Sequence, residues 1–425
     1  MERFTGLIGI VLILGVAYGL SSNRKAINWR TVGVGLALQL SLAVFIIKIP
    51  FGQTLFNWLG QAVTKVLSFA DIGAQFVFGP LVNVPVLEKV FGNGSGFIFF
   101  FKIIPTIIFV ACLVNIFYYL GIMQRIISVL AIGMKWLMNV SGAEALSNIS
   151  SAFVGQVEAQ IMIKPYLKGM TMSELMASMT GSFACIAGGV MATYILFGVP
   201  AQYLIAASIM AAPGALAIAK IMLPETEESE TRGTVKLKVA KQYSNFVDAI
   251  SAGCSDGLKV GMNVLAMLIG FLALIALINF LFGKVGGTLN YFGWTHIGSF
   301  EMWKLSLDSI LGFLFAGFAW AMGVPSGEIT QAGALMGTKL VANEFVAYLN
   351  LSPMIKAHTL SPKTIAIVSF ALCGFANLGS VGIQIGGISA LEPDRRQDLA
   401  KLAFRALIAG TLASYLSATL AGIMF

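Results

Sequence analysis

Apolar runs about long enough to cross a lipid bilayer recur along this sequence, separated by short polar connections. That recurrence limits the fold more than any single motif. A helix needs roughly 20 apolar residues to span the hydrocarbon core. Such stretches read as spans at Thr5–Leu20, Thr31–Ile47, Gly96–Tyr119, Met172–Phe197, Tyr203–Leu223, Val260–Phe282, Thr364–Ile388 and Leu402–Phe425. Only 11% of the 425 residues are charged, against about a quarter in soluble domains. The sequence therefore predicts an all-α integral membrane protein with eight transmembrane helices. The net charge of +8 is spread through the connections, which is a topology signal and argues against nucleic acid as a partner.

Other stretches depart from the spanning pattern. The first apolar run is followed by Arg24 and Lys25, whereas a signal peptide carries its charge in front, so it is read as a retained helix. Phe51–Phe91 mixes Gln53, Asn57, Gln61, Lys65, Asp71 and Gln75 with apolar residues and contains Pro80 and Pro85. That mixture predicts amphipathic helices lying on the membrane or against other subunits. Ile126–Leu137 is short and interrupted by Lys135, Ser309–Met322 is short as well, and Glu225–Lys241 reads as a solvated loop. Cys112, Cys185, Cys254 and Cys373 form no CxxC pair, and His296 and His358 are the only histidines. A disulfide framework, a zinc site and a haem site are all unfavourable on these counts. The absence of an HExxH motif and of a Ser/His dyad argues against an intramembrane enzyme.

Two polar knots stand out in this background: Val154-Gly155-Gln156-Val157-Glu158-Ala159-Gln160, and Asn343-Glu344-Phe345-Val346-Ala347-Tyr348. A carboxylate at membrane depth costs roughly 2.5–3.5 kcal/mol even on the lenient insertion scale, which makes it a functional candidate. Non-helical backbone at that depth needs protein or water around it, so the knots are read as re-entrant hairpins facing one solute site. Gln156 and Asn343 supply donors and acceptors beside the acceptor-only carboxylates, a set suited to a neutral solute rich in hydroxyl and amide edges. Free carbonyls at broken helix ends could hold a small cation. The alternative for Glu158 and Glu344 is a structural salt bridge, with Lys164 or Lys339. Asn377 and Ser380 lie three apart on one helix face, where interhelical bonding is the alternative. Phe375 reads as packing on composition alone, and Glu144 and Asp308 read as interfacial residues without a role.

The two halves superpose in order. Trp136-Leu137-Met138-Asn139-Val140 precedes the first knot and Trp320-Ala321-Met322-Gly323-Val324 the second. Ser182-Phe183-Ala184 and Ser369-Phe370-Ala371 follow, each leading into small and polar residues. Each half holds an odd number of spans and one hairpin, so the second half is inverted relative to the first, the plan of many secondary transporters. Arg24, Lys25 and Arg30, then Arg125, Lys135, Lys164 and Lys168, then Arg395, Arg396, Lys401 and Arg405 can all be cytoplasmic together. Both termini are then outside, the first hairpin enters from the cytoplasm and the second from the opposite side.

At these motifs the chain resembles the concentrative nucleoside transporters. The likeness runs from Ser22-Asn23-Arg24-Lys25, through both knots and Ala371-Leu372-Cys373-Gly374-Phe375-Ala376-Asn377, to Gly386-Gly387-Ile388 and Arg405-Ala406-Leu407. The resemblance implies a bacterial inner-membrane homotrimer, embedded in lipid, that imports nucleosides on a cation gradient by an elevator movement. It implies mainly scaffold helices in 1–121 and the first half of a transport domain in 122–223, with hairpin 1 at 141–168. A cytoplasmic loop and amphipathic helix at 224–258 and a scaffold helix at 259–283 would follow. The second half of the transport domain would be 304–425, with hairpin 2 at 326–350. By the same likeness Gln156 and Glu158 would bond the nucleobase, with Val157 beside them. Glu344, Asn377 and Ser380 would hold the ribose, while Asn343, Phe375 and Val190 would line the pocket. A sodium ion would sit against Val154 and Ile186, helped by Ser151 and Cys185.

The chain departs from the family pattern Gly-Gln-Thr-Glu-(Ala/Ser)-Pro at Val157 and Gln160, so the base preference is open. Ser151 stands where sodium-coupled members have Asn, and Cys185 replaces a hydroxyl residue. Sulfur is a poor ligand for a hard cation. Sodium coupling is therefore weakened, replaced by proton coupling, or altered by an introduced residue at Ser151. No other cofactor is implied. The alternative function is a channel, or a transporter of another small neutral polar solute such as a free nucleobase.

Overall fold

A computed structural model describes residues 2–92, 96–231, 243–292, 296–297, 300–301 and 305–425. The first part is α1 (Glu2–Gly19), α2 (Trp29–Ile47), α3 (Pro50–Ser68), α4 (Ala70–Phe78), α5 (Val84–Phe91) and α6 (Phe99–Tyr119). Local chemistry sets several of these boundaries. The Asn28 side chain caps α2 by accepting from the amides of Arg30 and Thr31. Pro50 opens α3 and Pro85 opens α5, where a missing N–H does no harm. Lys102 on α6 pairs with Asp71 on α4 at 2.7 Å, anchoring the amphipathic segment to the helix that follows it.

The next six helices are α7 (Ile122–Met138), α8 (Gly142–Ser151), α9 (Glu158–Met162), α10 (Met172–Ala184), α11 (Gly188–Leu196) and α12 (Ala201–Met222). Then comes α13 (Phe246–Tyr291), about 69 Å long at 1.5 Å per residue. The last six are α14 (Leu307–Ala321), α15 (Ile329–Val341), α16 (Glu344–Lys356), α17 (Pro362–Leu372), α18 (Leu378–Leu391) and α19 (Arg396–Met424). A two-residue antiparallel pairing, β1 (His296–Ile297) with β2 (Phe300–Glu301), lies between α13 and α14.

The repeat read from the sequence is present in the element order. In both α7–α12 and α14–α19, one helix leads to a hairpin of two, then to a broken pair, then to a long helix. The matched Trp-led segments even share a backbone device. Asn139 (φ 54°) after α7 and Gly323 (φ 90°) after α14 occupy the same position in their segments, and both turn the chain through positive φ.

Among the described residues, seven helical stretches are long and apolar enough to cross a membrane. They include Pro50–Phe91, which the sequence assigns to amphipathic helices, and omit two of the expected spans. Thr5–Gly19 is shorter than the rest, and Thr364–Ile388 is not one helix. It unwinds at Cys373–Asn377, and the expected span Met172–Phe197 unwinds at Cys185–Ala187. Hydropathy averages across such breaks, so neither shows in a window of apolar residues. α13 runs as one continuous helix through residue 258, where the sequence divides an amphipathic helix from a scaffold helix. Hairpin 2 is longer than expected, with α16 ending at Lys356. Residues 232–241 of the expected solvated loop lie outside the described residues, as do 242, 293–295, 298–299 and 302–304.

Burial separates inner from outer helices. The candidate spans Met172–Leu196, Ala201–Met222 and Pro393–Met424 are 78%, 89% and 83% buried, whereas Phe246–Tyr291 is only 11% buried. The broken helices and their long partners therefore form the core, and α13 lies along its outside with most of its apolar surface open.

Candidate solute-binding site

The two breaks meet at the centre of the inner helices. The Phe375 amide donates to the Cys185 carbonyl at 3.2 Å. Gly374 lies at φ +151°, where a β-carbon would stand 2.7 Å from the Phe183 carbonyl oxygen. Only glycine allows that crossing. Unwinding there frees new helix N-termini at Gly188 on α11 and Leu378 on α18, while the hairpin 2 turn creates another at Glu344 on α16. These three ends and the hairpin 1 tip line one cavity of about 950 Å³. Its other wall is formed by α6 and α13.

All nine residues proposed from the sequence as solute contacts line this cavity: Gln156, Val157, Glu158, Val190, Asn343, Glu344, Phe375, Asn377 and Ser380. Glu344 is held at both of its carboxylate oxygens. The Tyr194 hydroxyl donates to its Oε1 at 3.0 Å and the Asn377 amide to its Oε2 at 3.1 Å. Its place in the first turn of α16 favours a negative group. Asn343 caps α16 by accepting from the Val346 amide, and Asn377 caps α18 by accepting from the Ser380 amide. The Asn377 side chain therefore joins the second break to Glu344. Gln156 reaches over from hairpin 1 to donate to Ser380 Oγ at 3.4 Å, while its Oε1 is buried without a partner.

Glu158 is exposed to the cavity and folds its carboxylate back over Gly155, which has no side chain to obstruct it. Val157 leans on Gly387 of α18, where a β-carbon would stand 2.6 Å from Val157 Cγ2. Neither Glu158 nor Glu344 is in an ion pair among the described residues, and Lys339 donates instead to the Ala371 carbonyl at 2.8 Å.

The four residues proposed for sodium lie around the first break, but their donors are unequally placed. Ser151 Oγ donates to the Ser147 carbonyl at 2.9 Å and lies 3.1 Å from Ser182 Oγ. Val154 and Ile186 are both buried. Cys185 directs its sulfur to the Ser208 carbonyl at 3.9 Å, and its own carbonyl already accepts from Phe375. A second departure from the family pattern finds an explanation close by. Gln160 is fully buried, accepts from Ser178 Oγ at 2.7 Å and donates to Ser182 Oγ at 2.8 Å.

Sequence reasoning missed several residues. Tyr194 holds Glu344, yet it sits in an apolar run with nothing to mark it. Glu144, expected at the interface, is 1% exposed and pairs with Lys220 of α12. It also completes the Ser141 capping box of α8, a Ser-x-x-Glu signal that was legible. Glu225, expected in the solvated loop, accepts from Thr171 Oγ1 at 2.8 Å.

Comparison with known proteins bears on the same regions. Residues 203–422 match the family model described as the C-terminus of the Na+ dependent nucleoside transporters, and residues 8–81 match its N-terminal counterpart. Residues 100–201 match a model described as nucleoside recognition. The chain is 40% identical to the putative nucleoside permease NupX of Escherichia coli over 99% of both chains. It is 38% identical to the nucleoside permease NupC of Helicobacter pylori, covering 98% of this chain and 96% of that one. A solved structure described as CNTnw in an inward-facing substrate-bound state superposes with a TM-score of 0.92 at 40% identity, covering 100% of this chain and 98% of the other.

Proposed function

The chain belongs to the concentrative nucleoside transporter family, and on that premise we propose that it imports nucleosides on a cation gradient by an elevator-type movement. The family is one of transporters and not of enzymes, and this member is a multi-pass membrane protein. The observation that carries the solute assignment is the clamp on Glu344. Its two oxygens are fixed by Tyr194 and Asn377 at the edge of the cavity, where they can accept further hydrogen bonds from vicinal hydroxyls of a ribose. Gln156 and Glu158 face the same space from hairpin 1, supplying both acceptors and a donor for a base edge.

The elevator reading divides the molecule at this cavity. α6 and α13 would form the stationary wall, and the hairpins with their broken helices the moving one. Both termini would lie outside and three protomers would associate, with the open apolar surface of α13 facing lipid or a neighbouring protomer. Sodium is the proposed coupling ion, with protons as the alternative, since the family description names sodium while Cys185 turns its sulfur away from the candidate site.

Uptake of radiolabelled uridine into proteoliposomes, with imposed sodium or proton gradients, tests this function. Saturable, gradient-dependent accumulation is expected. Failure to accumulate under either gradient would overturn it.

A further inference from the structure

The α6–α13 wall carries a polar group that no part of the solute assignment uses. Asn115 lies in the apolar run Val114-Asn115-Ile116-Phe117 of α6 and lines the cavity. Its Nδ2 is buried and has no hydrogen-bond partner. An orphaned buried donor loses its hydrogen bond to water without replacement, and an asparagine that merely joined two helices would show its partner across the interface. On the facing wall, Gln156 has the opposite deficiency: its Oε1 is buried and accepts nothing. The walls come together nearby, since a β-carbon on Gly189 of α11 would stand 4.0 Å from Val110 Cγ1 on α6. The cavity is thus lined on one side by a residue with an unpartnered donor and on the other by one with an unpartnered acceptor.

We propose that Asn115 is a specificity residue that hydrogen-bonds the nucleobase from the stationary wall while Gln156 accepts from the same base. This rests on the nucleoside reading above and deepens it. A planar ring with a carbonyl or ring nitrogen beside an N–H satisfies both orphans at once, which a sugar alone does less well because its hydroxyls are engaged at Glu344. The assignment also gives a reason for an amide within an otherwise apolar helical stretch. Leucine at this position would fill the space and remove the donor.

The test is calorimetric titration of uridine into the purified full-length protein and its Asn115→Leu variant, with thermal midpoints measured on both. The expected result is a dissociation constant raised about tenfold, the usual consequence of losing one hydrogen bond, with the midpoint unchanged or higher. An unchanged dissociation constant in Asn115→Leu, with uridine still binding the wild type, would overturn the role of Asn115 and leave the nucleoside reading intact. Absence of uridine binding to the wild type would instead remove that reading, and this assignment with it. Should Asn115→Leu lower the midpoint, Asn115→Ala is judged by the same shift in affinity.

Discussion

The main-chain bond from the Phe375 amide to the Cys185 carbonyl ties together the unwound centres of two repeat-related helices. Each break gives up helical hydrogen bonds inside the core, and this contact restores part of what is lost. It also places the N-terminus of α18, with Asn377 and Ser380, on the same cavity as the hairpin 1 tip. The candidate site is thus a consequence of two helices that fail to complete their crossing.

Gly374→Ala is expected to disrupt that junction. Its φ of +151° and the 2.7 Å approach to the Phe183 carbonyl leave no space for a methyl group. A destabilisation of about 1–3 kcal/mol or more follows from such strain, and a lowered thermal midpoint in detergent would show it. A midpoint equal to wild type would mean that the breaks do not pack as described.

Glu344→Gln presents an amide N–H to one of two donors, Tyr194 or Asn377. Uridine affinity should fall about ten- to a hundredfold, the range for losing hydrogen bonds to a charged group. The fold should persist, because the residue sits in a capped first turn. Calorimetric titration and circular dichroism on the same preparation separate the two effects.

Lys220→Met should leave Glu144 buried without its cation, at a cost of about 3–5 kcal/mol. Replacing both partners, as Glu144→Gln with Lys220→Met, should recover much of that loss. Thermal midpoints of the single and double variants provide the comparison, and equal losses in both would contradict the pairing.

Cation dependence should respond differently at two positions. Ser151→Asn adds a carbonyl oxygen beside Ser182 and is expected to lower the sodium concentration needed for half-maximal uptake. Cys185→Ser should leave it unchanged, because this side chain faces the Ser208 carbonyl. Sodium titration of uridine uptake by each variant measures both.

Much of the architecture was legible because hydropathy and repeat order are properties of long segments. The polar knots were legible because a carboxylate costs too much in lipid to lie there idle. What escaped detection was geometry that a linear reading cannot contain. The breaks at Cys185–Ala187 and Cys373–Asn377 lie inside runs whose average stays apolar. Tyr194 and Lys220 find their partners only once distant helices pack. Gln160 was visible as a departure from the family pattern, but its hydroxyl partners come from α10 and could not be named in advance. Glu144 was misplaced because its cation, Lys220, belongs to a helix far along the chain.

The most direct measurement is titration of uridine into purified wild-type protein and Glu344→Gln, in sodium, in potassium and at low pH. Saturable wild-type binding that one cation strengthens, and that Glu344→Gln weakens about ten- to a hundredfold, is the predicted result. Equal binding by both proteins, or none by the wild type under any of these conditions, would contradict a nucleoside site at the meeting of the two hairpins.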